Sequence, residues 1–193
     1  MGHNTRPGGL KEGVGTDREL AIALGHADQQ AFAEVYRLYH ARIWRFLVRL
    51  AGSAAEAEDL FQETWLAAAR HAQGIRAETA LLPWLYTIAR NKHRNALRFR
   101  FVDRRRRFGC DPLPGVSPDE AADLRVRTER TARAFAHLPA AHREVLLLCL
   151  VEGLATREVA GVLGIREEAV RKRLSRARQE LARRLGIEPG EVK

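Results

Sequence analysis

Apolar residues recur at three- and four-residue steps through most of this 193-residue chain. That spacing lines one face of a helix that turns 100° per residue, so it predicts α-helices. No run of alternating β-branched residues is long enough to predict a strand. The chain is therefore expected to be all-α. The clearest stripe is Phe32, Val35, Tyr36, Tyr39, Ile43, Phe46, Leu47 and Leu50.

One interruption of this pattern divides the chain. Residues 103–127 include DRRRRFGCDPLPGVSPDE, which has three prolines, two glycines and no apolar period, so they are predicted to be a flexible linker. Residues 1–16 are polar and glycine-rich and are expected to be a disordered tail. This leaves two small helical domains, 17–102 and 128–186, and a short tail, 187–193.

Positive charge is concentrated in two places. The formal net charge is +9. Arg90–Arg107 holds nine basic residues and one acid, and Ala155–Leu185 holds nine basic residues and four acids. Two basic surfaces, one in each domain, are thus expected, with nucleic acid as the first candidate partner and an anionic membrane as the second.

Several other classes of protein are disfavoured. No apolar stretch reaches the roughly 18 residues of a membrane span, and the start of the chain lacks the apolar core of a signal peptide. Cys110 and Cys149 form no disulfide or metal pattern, which suits a reducing cytoplasm. The histidines have no acidic or cysteine partners at ligand spacing, and no glycine-rich phosphate loop is present. We therefore expect no enzyme, no catalytic residue, no metal and no cofactor, and we interpret His93 as a DNA contact or a surface residue.

The segment TREVAGVLGIREEAVRKRL predicts a helix-turn-helix. Ala160 is small where the helices approach, and Gly164 stands at the turn. In the second helix Val170, Leu174, Ala177, Leu181 and Leu185 form a core stripe, and the opposite side carries Lys172, Ser175, Arg176 and Gln179. This face suits a recognition helix, although a solvated cationic face is the alternative. Glu168 either complements the helix dipole or accepts a hydrogen bond from a cytosine amine.

Two more helices are predicted in the first domain, one that the capping box at Ser53–Glu56 opens and one that follows Pro83, and each contains a candidate binding segment. EAEDLFQETW places Asp59, Gln62 and Glu63 on one exposed side, with Leu60, Trp65 and Leu66 available for packing. This pattern fits a partner-binding helix or simply a solvated acidic face. In WLYTIARNKHRNALRFR, Trp84 and Tyr86 precede a series of cationic and amide donors. Aromatic rings beside such donors suit unpaired bases, although Trp84 can also belong to the core.

Four sequence motifs occur in the order found in bacterial sigma factors of the extracytoplasmic-function (ECF) class: EDLFQETW, WLYTIARN, LPAAHREVLLLCLVEGL and VAGVLGIREEAVRKRLSRAR. The chain resembles this class over residues 17–100 and 128–186. The resemblance implies a sigma region 2 domain that binds the RNA polymerase clamp and that recognises and melts the −10 promoter element. It also implies a region 4 domain that reads the −35 element and contacts the polymerase flap. An anti-sigma factor is an expected regulatory partner.

The resemblance also implies roles for individual residues. Asp59, Gln62 and Glu63 match the polymerase-binding motif. The −10 set is Arg76, Glu78, Thr79, Trp84, Arg90, Asn91, Arg94, Asn95 and Arg98. The −35 set is Arg166, Glu168, Arg171, Lys172, Ser175 and Arg176.

The chain departs from the family pattern at a few positions. Asn95, Ile75 and Ala77 stand where Asp, an aromatic residue and Gly are common, which leaves the −10 preference open. Glu167 and Glu168 replace smaller residues, which leaves the −35 preference open. The alternative function is a helix-turn-helix transcriptional regulator that acts without being a polymerase subunit, since the C-terminal half alone would fit it.

Overall fold

The computed structural model describes residues 14–103 and 130–191, and the regular elements within these ranges are all helical, so the predicted all-α fold is confirmed. The first range contains α1 (Val14–Gly25), α2 (Gln29–Leu50), α3 (Ala54–His71), a 3₁₀ turn (Ala72–Gly74) and α4 (Leu81–Asp103). The second contains α5 (residues 130–136), α6 (Ala140–Leu146) with a π-helical extension (Leu147–Val151), α7 (Thr156–Leu163), α8 (Glu167–Leu185) and a 3₁₀ turn (Pro189–Glu191).

The described residues cover most of the two predicted domains, 17–102 and 128–186. Helix α1 starts at Val14, the first described residue, and α4 reaches Asp103, the last residue of the first range, so the domain boundaries stay predictions. Residues 1–13, 104–129 and 192–193 lie outside the described residues. Most of the predicted N-terminal tail and linker falls within these ranges.

Side-chain caps explain where α2 and α3 begin. Asp28 accepts hydrogen bonds from the backbone N–H groups of Gln30, at 2.7 Å, and of Ala31. Ser53 accepts from the Glu56 N–H at 3.2 Å, and the Glu56 carboxylate accepts from the Gly52 N–H at 2.6 Å. The capping box predicted at Ser53–Glu56 therefore forms, with the glutamate reaching one residue further back than the usual pattern. A cap of this kind contributes about 1 kcal/mol.

Helix α4 begins earlier than the sequence predicted. The prediction placed its start after Pro83, whereas the helix starts at Leu81. Proline lies in the first turn, where its missing N–H removes no intrahelical hydrogen bond.

Helices α2, α3 and α4 pack together to form the core of the N-terminal domain. Ile43, Phe46 and Leu47 of α2 are fully buried. The ring of Phe46 meets that of Tyr86 edge-on, with the ring centroids 4.9 Å apart. Tyr36 departs from the predicted stripe, because it stays 40% exposed at the edge of this core.

Helices α6 and α8 provide most of the C-terminal core. Val145 and Leu148 are buried on one side, and Val170 and Leu181 on the other. Gly164 joins α7 to α8 with φ +64°, a left-handed conformation that residues with a side chain rarely adopt. The turn glycine predicted from the sequence is therefore confirmed.

The two domains contact each other through α4 with α7 and through α2 with α6. Their buried apolar residues form one continuous cluster, which includes Leu85 and Ala89 of α4 and Val159 and Val162 of α7. Polar side chains of the N-terminal domain consequently lie against the C-terminal domain.

Candidate nucleic-acid interface

The outer side of α8 carries the residues predicted to read duplex DNA. Val170, Ala177 and Leu181 are buried on the inner side and hold the helix against α6 and α7. An anchored helix with long donors on its outer face is the geometry that a recognition helix needs. All the predicted −35 residues are exposed: Arg166, Glu168, Arg171, Lys172, Ser175 and Arg176.

Two acidic residues in the first turn of α8 hold two of these cations. Glu167 accepts hydrogen bonds from the Thr156 hydroxyl at 2.6 Å and from the Arg171 guanidinium at 2.7 Å. The pKa of Glu167 is lowered, chiefly by the Thr156 hydrogen bond and then by that of Arg171. Glu168 forms an ion pair with Lys172 at 2.7 Å. Because exposed ion pairs are weak, Arg171 and Lys172 can exchange these carboxylates for phosphates.

The predicted polymerase-binding residues lie together on α3. Asp59, Gln62 and Glu63 are all exposed. Glu63 also forms an ion pair with Lys92 of α4, at 3.2 Å. The acidic side of α3 therefore adjoins the basic side of α4.

Beside these acids lies an exposed apolar surface that the sequence did not reveal. Its aromatic members are Tyr36 (40% exposed), Trp44 (38%) and the half-buried Phe61, and the rings of Trp44 and Phe61 meet edge-on at 5.5 Å. Leu66, which is 61% exposed, lies one helical turn after Gln62 on α3. The sequence grouped Leu66 with Leu60 and Trp65 as packing residues, but only Leu60 and Trp65 are buried. Aromatic side chains within a polar rim are typical of protein-binding surfaces. Trp44 lies outside the predicted core stripe of α2, and a large aromatic residue at such a position is the signal that could have identified this surface.

The loop between α3 and α4 contains three of the predicted −10 residues. Arg76 and Glu78 are exposed, and Thr79 is half-buried. The Arg76 N–H donates to the Thr79 hydroxyl at 3.2 Å, and the Thr79 N–H donates to the Arg76 carbonyl at 2.9 Å. These two bonds close a compact turn that leaves the Arg76 side chain accessible.

On α4 the predicted −10 residues separate into two groups. Trp84 is half-buried against the core. Asn91, Arg94, Asn95 and Arg98 are exposed, and their three- and four-residue spacing puts them on one face of the helix.

Arg90 lies elsewhere, at the contact between the two domains. Its Nε lies 2.9 Å from Oε2 of Glu144, and its Nη1 donates to the Val162 carbonyl at 3.3 Å. The Arg90 and Glu144 side chains are 7% and 3% exposed. In this arrangement Arg90 is out of reach of DNA, unlike the four exposed residues that follow it.

Two neighbours of Arg90 are also buried. His93 is 1% exposed, so the prediction of a surface position is wrong. Burial, and then the nearby Arg143, lower its pKa. Tyr86, which was interpreted with Trp84 as a stacking platform for bases, is fully buried and donates its hydroxyl hydrogen bond to Glu152. Both side chains lie near charged residues of the C-terminal domain, since Glu152 accepts the hydrogen bond of Tyr86 and the charges of Arg143 and Glu144 act on His93.

Within residues 14–103 and 130–191, no helix combines the length and the apolar character needed to cross a membrane. Across the same residues, no three or more His, Cys, Asp or Glu side chains are grouped so that they could hold a metal ion.

Two family models match the chain. The Sigma-70 region 2 model matches residues 35–100, and the Sigma-70 region 4 model matches residues 128–181. The first match contains the exposed faces of α3 and α4, and the second contains the helix-turn-helix.

Known proteins give the same result. The chain is 33% identical to the RNA polymerase sigma factor CarQ of Myxococcus xanthus, over 82% of the chain and 91% of CarQ. It is 30% identical to the ECF RNA polymerase sigma factor SigM of Mycobacterium tuberculosis, over 89% of the chain and 85% of SigM. It also matches the "Probable RNA polymerase sigma factor RfaY" of Xanthomonas campestris pv. campestris at 35% identity, but over only 43% of that protein's length.

A solved structure is similar as well. The sigma factor RpoE of Bartonella quintana, crystallised with the anti-sigma factor NepR, matches with a TM-score of 0.70 and 25% identity, over 81% of the chain and 98% of RpoE. Sigma factors are initiation factors of transcription rather than enzymes. From the two family models and the relatives that it covers almost completely, the chain belongs to the ECF class of RNA polymerase sigma factors.

Proposed function

We propose that this alternative sigma factor directs core RNA polymerase to promoters through two separate DNA-binding surfaces. The outer face of α8 reads the −35 element as duplex DNA. The loop 76–81 and the exposed face of α4 recognise the −10 element and hold one of its strands unpaired. The observation that carries this proposal is the exposed cationic face of α8, backed by buried apolar residues.

The −35 surface combines affinity with specificity. Arg171, Lys172 and Arg176 supply charge for phosphates, and each phosphate neutralised lowers log K by roughly 0.9 per tenfold rise in salt. Specificity then comes from a few contacts to base edges, each worth about 1–3 kcal/mol.

Melting of the −10 element requires no covalent chemistry by the protein. Extruding a base costs a few kcal/mol, and a pocket that stacks against the base and hydrogen-bonds to it offsets that cost. The exposed Asn91, Arg94, Asn95 and Arg98 provide donors for the unpaired strand, and the turn at Arg76–Thr79 provides a rigid edge. Binding the open strand more tightly than the duplex shifts the melting equilibrium.

The acidic residues of α3, together with the neighbouring apolar surface, form the proposed site for the polymerase clamp. Asp59, Gln62 and Glu63 set the charge complementarity of this surface, and Trp44 and Leu66 supply its apolar contacts. The C-terminal domain in turn contacts the polymerase flap.

We also propose that the protein acts in the cytoplasm and that an anti-sigma factor controls it. Support for this control comes from the similar RpoE chain, whose crystal structure includes an anti-sigma factor.

The substitution Arg176→Ala tests the assignment of α8. We expect promoter DNA binding by the polymerase holoenzyme to weaken about 5- to 150-fold, because one contact of about 1–3 kcal/mol is lost. Arg183→Ala is the matched control, since it removes the same charge from the same helix at a position engaged with Glu180 at 2.8 Å. Equal losses for both variants in a gel-shift titration would reject α8 as the base-reading surface.

The double substitution Asp59→Ala with Glu63→Ala tests the polymerase-binding surface. We expect co-purification with core polymerase to fall while the helical circular dichroism signal is retained, because both side chains are exposed. Glu58→Ala, which removes an exposed acid from the same helix, is the control. Undiminished co-purification of the double variant would reject this surface as the clamp site.

A further inference from the structure

The contact between the domains contains buried polar groups that the proposed DNA- and polymerase-binding surfaces do not use. Arg90 of α4 and Glu144 of α6 form an ion pair at 2.9 Å, with both side chains more than nine-tenths buried. The two residues belong to different domains and are 54 positions apart. Each therefore satisfies the other's charge only while the domains are packed together.

A second polar cluster lies on the same contact. The Glu152 carboxylate accepts hydrogen bonds from the Tyr86 hydroxyl and from Arg42 Nε at 3.3 Å. The Glu152 carbonyl accepts from Arg42 Nη2 at 2.9 Å. Glu152 follows the π-helical end of α6, so one residue of the C-terminal domain is bonded to both α2 and α4.

A third connection runs in the opposite direction. Arg143 of α6 donates to the carbonyl of Leu50, the last residue of α2, at 3.2 Å. All three connections use charged groups, and they lie at a contact where Leu85 of α4 and Val162 of α7 belong to the same apolar cluster. A buried ion pair gives little net stability over an apolar pair of the same size, and its groups are well hydrated once exposed. The polar part of this contact is therefore specific in its geometry and its groups are readily hydrated on opening, whereas opening also exposes the apolar residues shared by the two domains, which favours the closed state.

This contact conflicts with the proposed promoter-binding function. Resemblance assigns Arg90 to the helix that meets the −10 strand, yet the pair with Glu144 and the bond to the Val162 carbonyl hold the guanidinium between the domains. Arg90 can reach DNA only if α4 separates from α6 and α7. The arrangement described here is thus a closed state.

We propose that the Arg90–Glu144 pair and the Glu152 cluster form an interdomain latch, which keeps this sigma factor closed until polymerase and promoter separate its domains. The latch rests on the proposed function, because it regulates the same −10 surface. It competes with productive binding, since only the open fraction is competent and the apparent affinity falls in proportion to that fraction.

Glu144→Gln is the most direct test. It removes the charge opposite Arg90 while keeping the size of the side chain, and Glu144 belongs to neither the DNA-binding nor the polymerase-binding set. Glu188→Gln is the matched control, because it removes the same charge from an exposed position just beyond the end of the C-terminal domain. Tyr86→Phe is a second, milder variant, which deletes only the hydroxyl bonded to Glu152 and keeps the ring packed on Phe46.

Single-molecule Förster resonance energy transfer on the full chain measures the fraction of closed molecules in the absence of polymerase. Dyes are placed on cysteines introduced at the exposed Ala55 and Ala136, in a background of Cys110→Ser and Cys149→Ala. We expect a predominantly high-transfer population in the wild type, a larger low-transfer population in Glu144→Gln and Tyr86→Phe, and no change in Glu188→Gln. We also expect core polymerase to bind Glu144→Gln more tightly, in proportion to the rise in the open fraction.

Two results would overturn the latch. One is a wild type that is mostly in the low-transfer state without polymerase. The other is a low-transfer population that is the same size in the wild type, Glu144→Gln and Tyr86→Phe. If Glu144→Gln does not fold, Tyr86→Phe alone decides this point. Run-off transcription with unlabelled wild type separates this failure from failure of the proposed function: a chain that supports initiation but is open when free refutes the latch alone.

Discussion

Removal of the Glu144 carboxylate by Glu144→Ala is expected to lower the free energy of unfolding substantially. Among the described residues, the buried guanidinium of Arg90 would keep the Val162 carbonyl, 3.3 Å away, as its one hydrogen-bond partner. Removing one member of a buried ion pair destabilises a protein by about 3–5 kcal/mol. The gain in helix propensity from Glu to Ala offsets only a few tenths of a kcal/mol. We therefore expect a loss of about 3–5 kcal/mol while the domains stay packed.

Separation of the domains limits this loss. Once α4 moves away from α6, water solvates Arg90 again and the remaining penalty disappears. The destabilisation therefore cannot exceed the free energy that holds the two domains together. The variant is expected to open first, and its two domains are then expected to unfold separately.

Urea denaturation followed by two probes measures both effects. Trp44, Trp65 and Trp84 all lie in the N-terminal domain, so fluorescence reports that domain alone, whereas circular dichroism at 222 nm reports both domains. We expect coincident transitions in the wild type and separate ones in Glu144→Ala. The apolar replacement of Arg90→Met with Glu144→Leu is expected to restore coincidence, because no buried charge remains. Coincident transitions and a stability within about 0.5 kcal/mol of wild type for Glu144→Ala would refute the reasoning.

Three further predictions concern other parts of the molecule. Gly164→Ala is expected to lower stability by about 1 kcal/mol because of the φ of +64°, whereas Gly161→Ala, at a helical position with open space around it, is expected to be neutral or stabilising in the same thermal melts. Burial and the nearby Arg143 lower the pKa of His93 in the folded chain, so the unfolded chain binds more protons and the free energy of unfolding should fall as pH drops below about 6.5. His93→Gln should make the free energy of unfolding depend less on pH in denaturation series between pH 5 and 8. Leu66→Ala should change stability by less than about 0.5 kcal/mol, because the side chain is 61% exposed, yet it should weaken co-purification with core polymerase.

Local signals in the sequence predicted most of the individual helices. The apolar spacing of α2 identified Ile43, Phe46 and Leu47, which are buried. Ser53 and Glu56 predicted the start of α3, and Gly164 predicted the turn before α8. These features depend on residues within one or two helical turns of each other, so they can be recognised from the sequence alone.

The contact between the domains could not be predicted in this way. Arg90 begins a long basic series and so resembles a surface residue, while its partner Glu144 lies 54 positions away in an apolar helix. Arg42 and Glu152 are 110 positions apart. Neither pair has a local signature, because their contact depends on how two separately patterned domains pack. The burial of Tyr86 and His93 was missed for the same reason.

Run-off transcription over a randomised promoter library, with the purified chain and core polymerase, tests the proposed function most directly. Sequencing of the transcribed templates should show two short enriched motifs at a fixed spacing, one read by α8 and one by α4 with the loop 76–81. Arg176→Ala should weaken the base preference at one part of the upstream motif and leave the downstream motif intact. Transcripts that do not depend on the added chain, or templates without an enriched motif, would contradict the account.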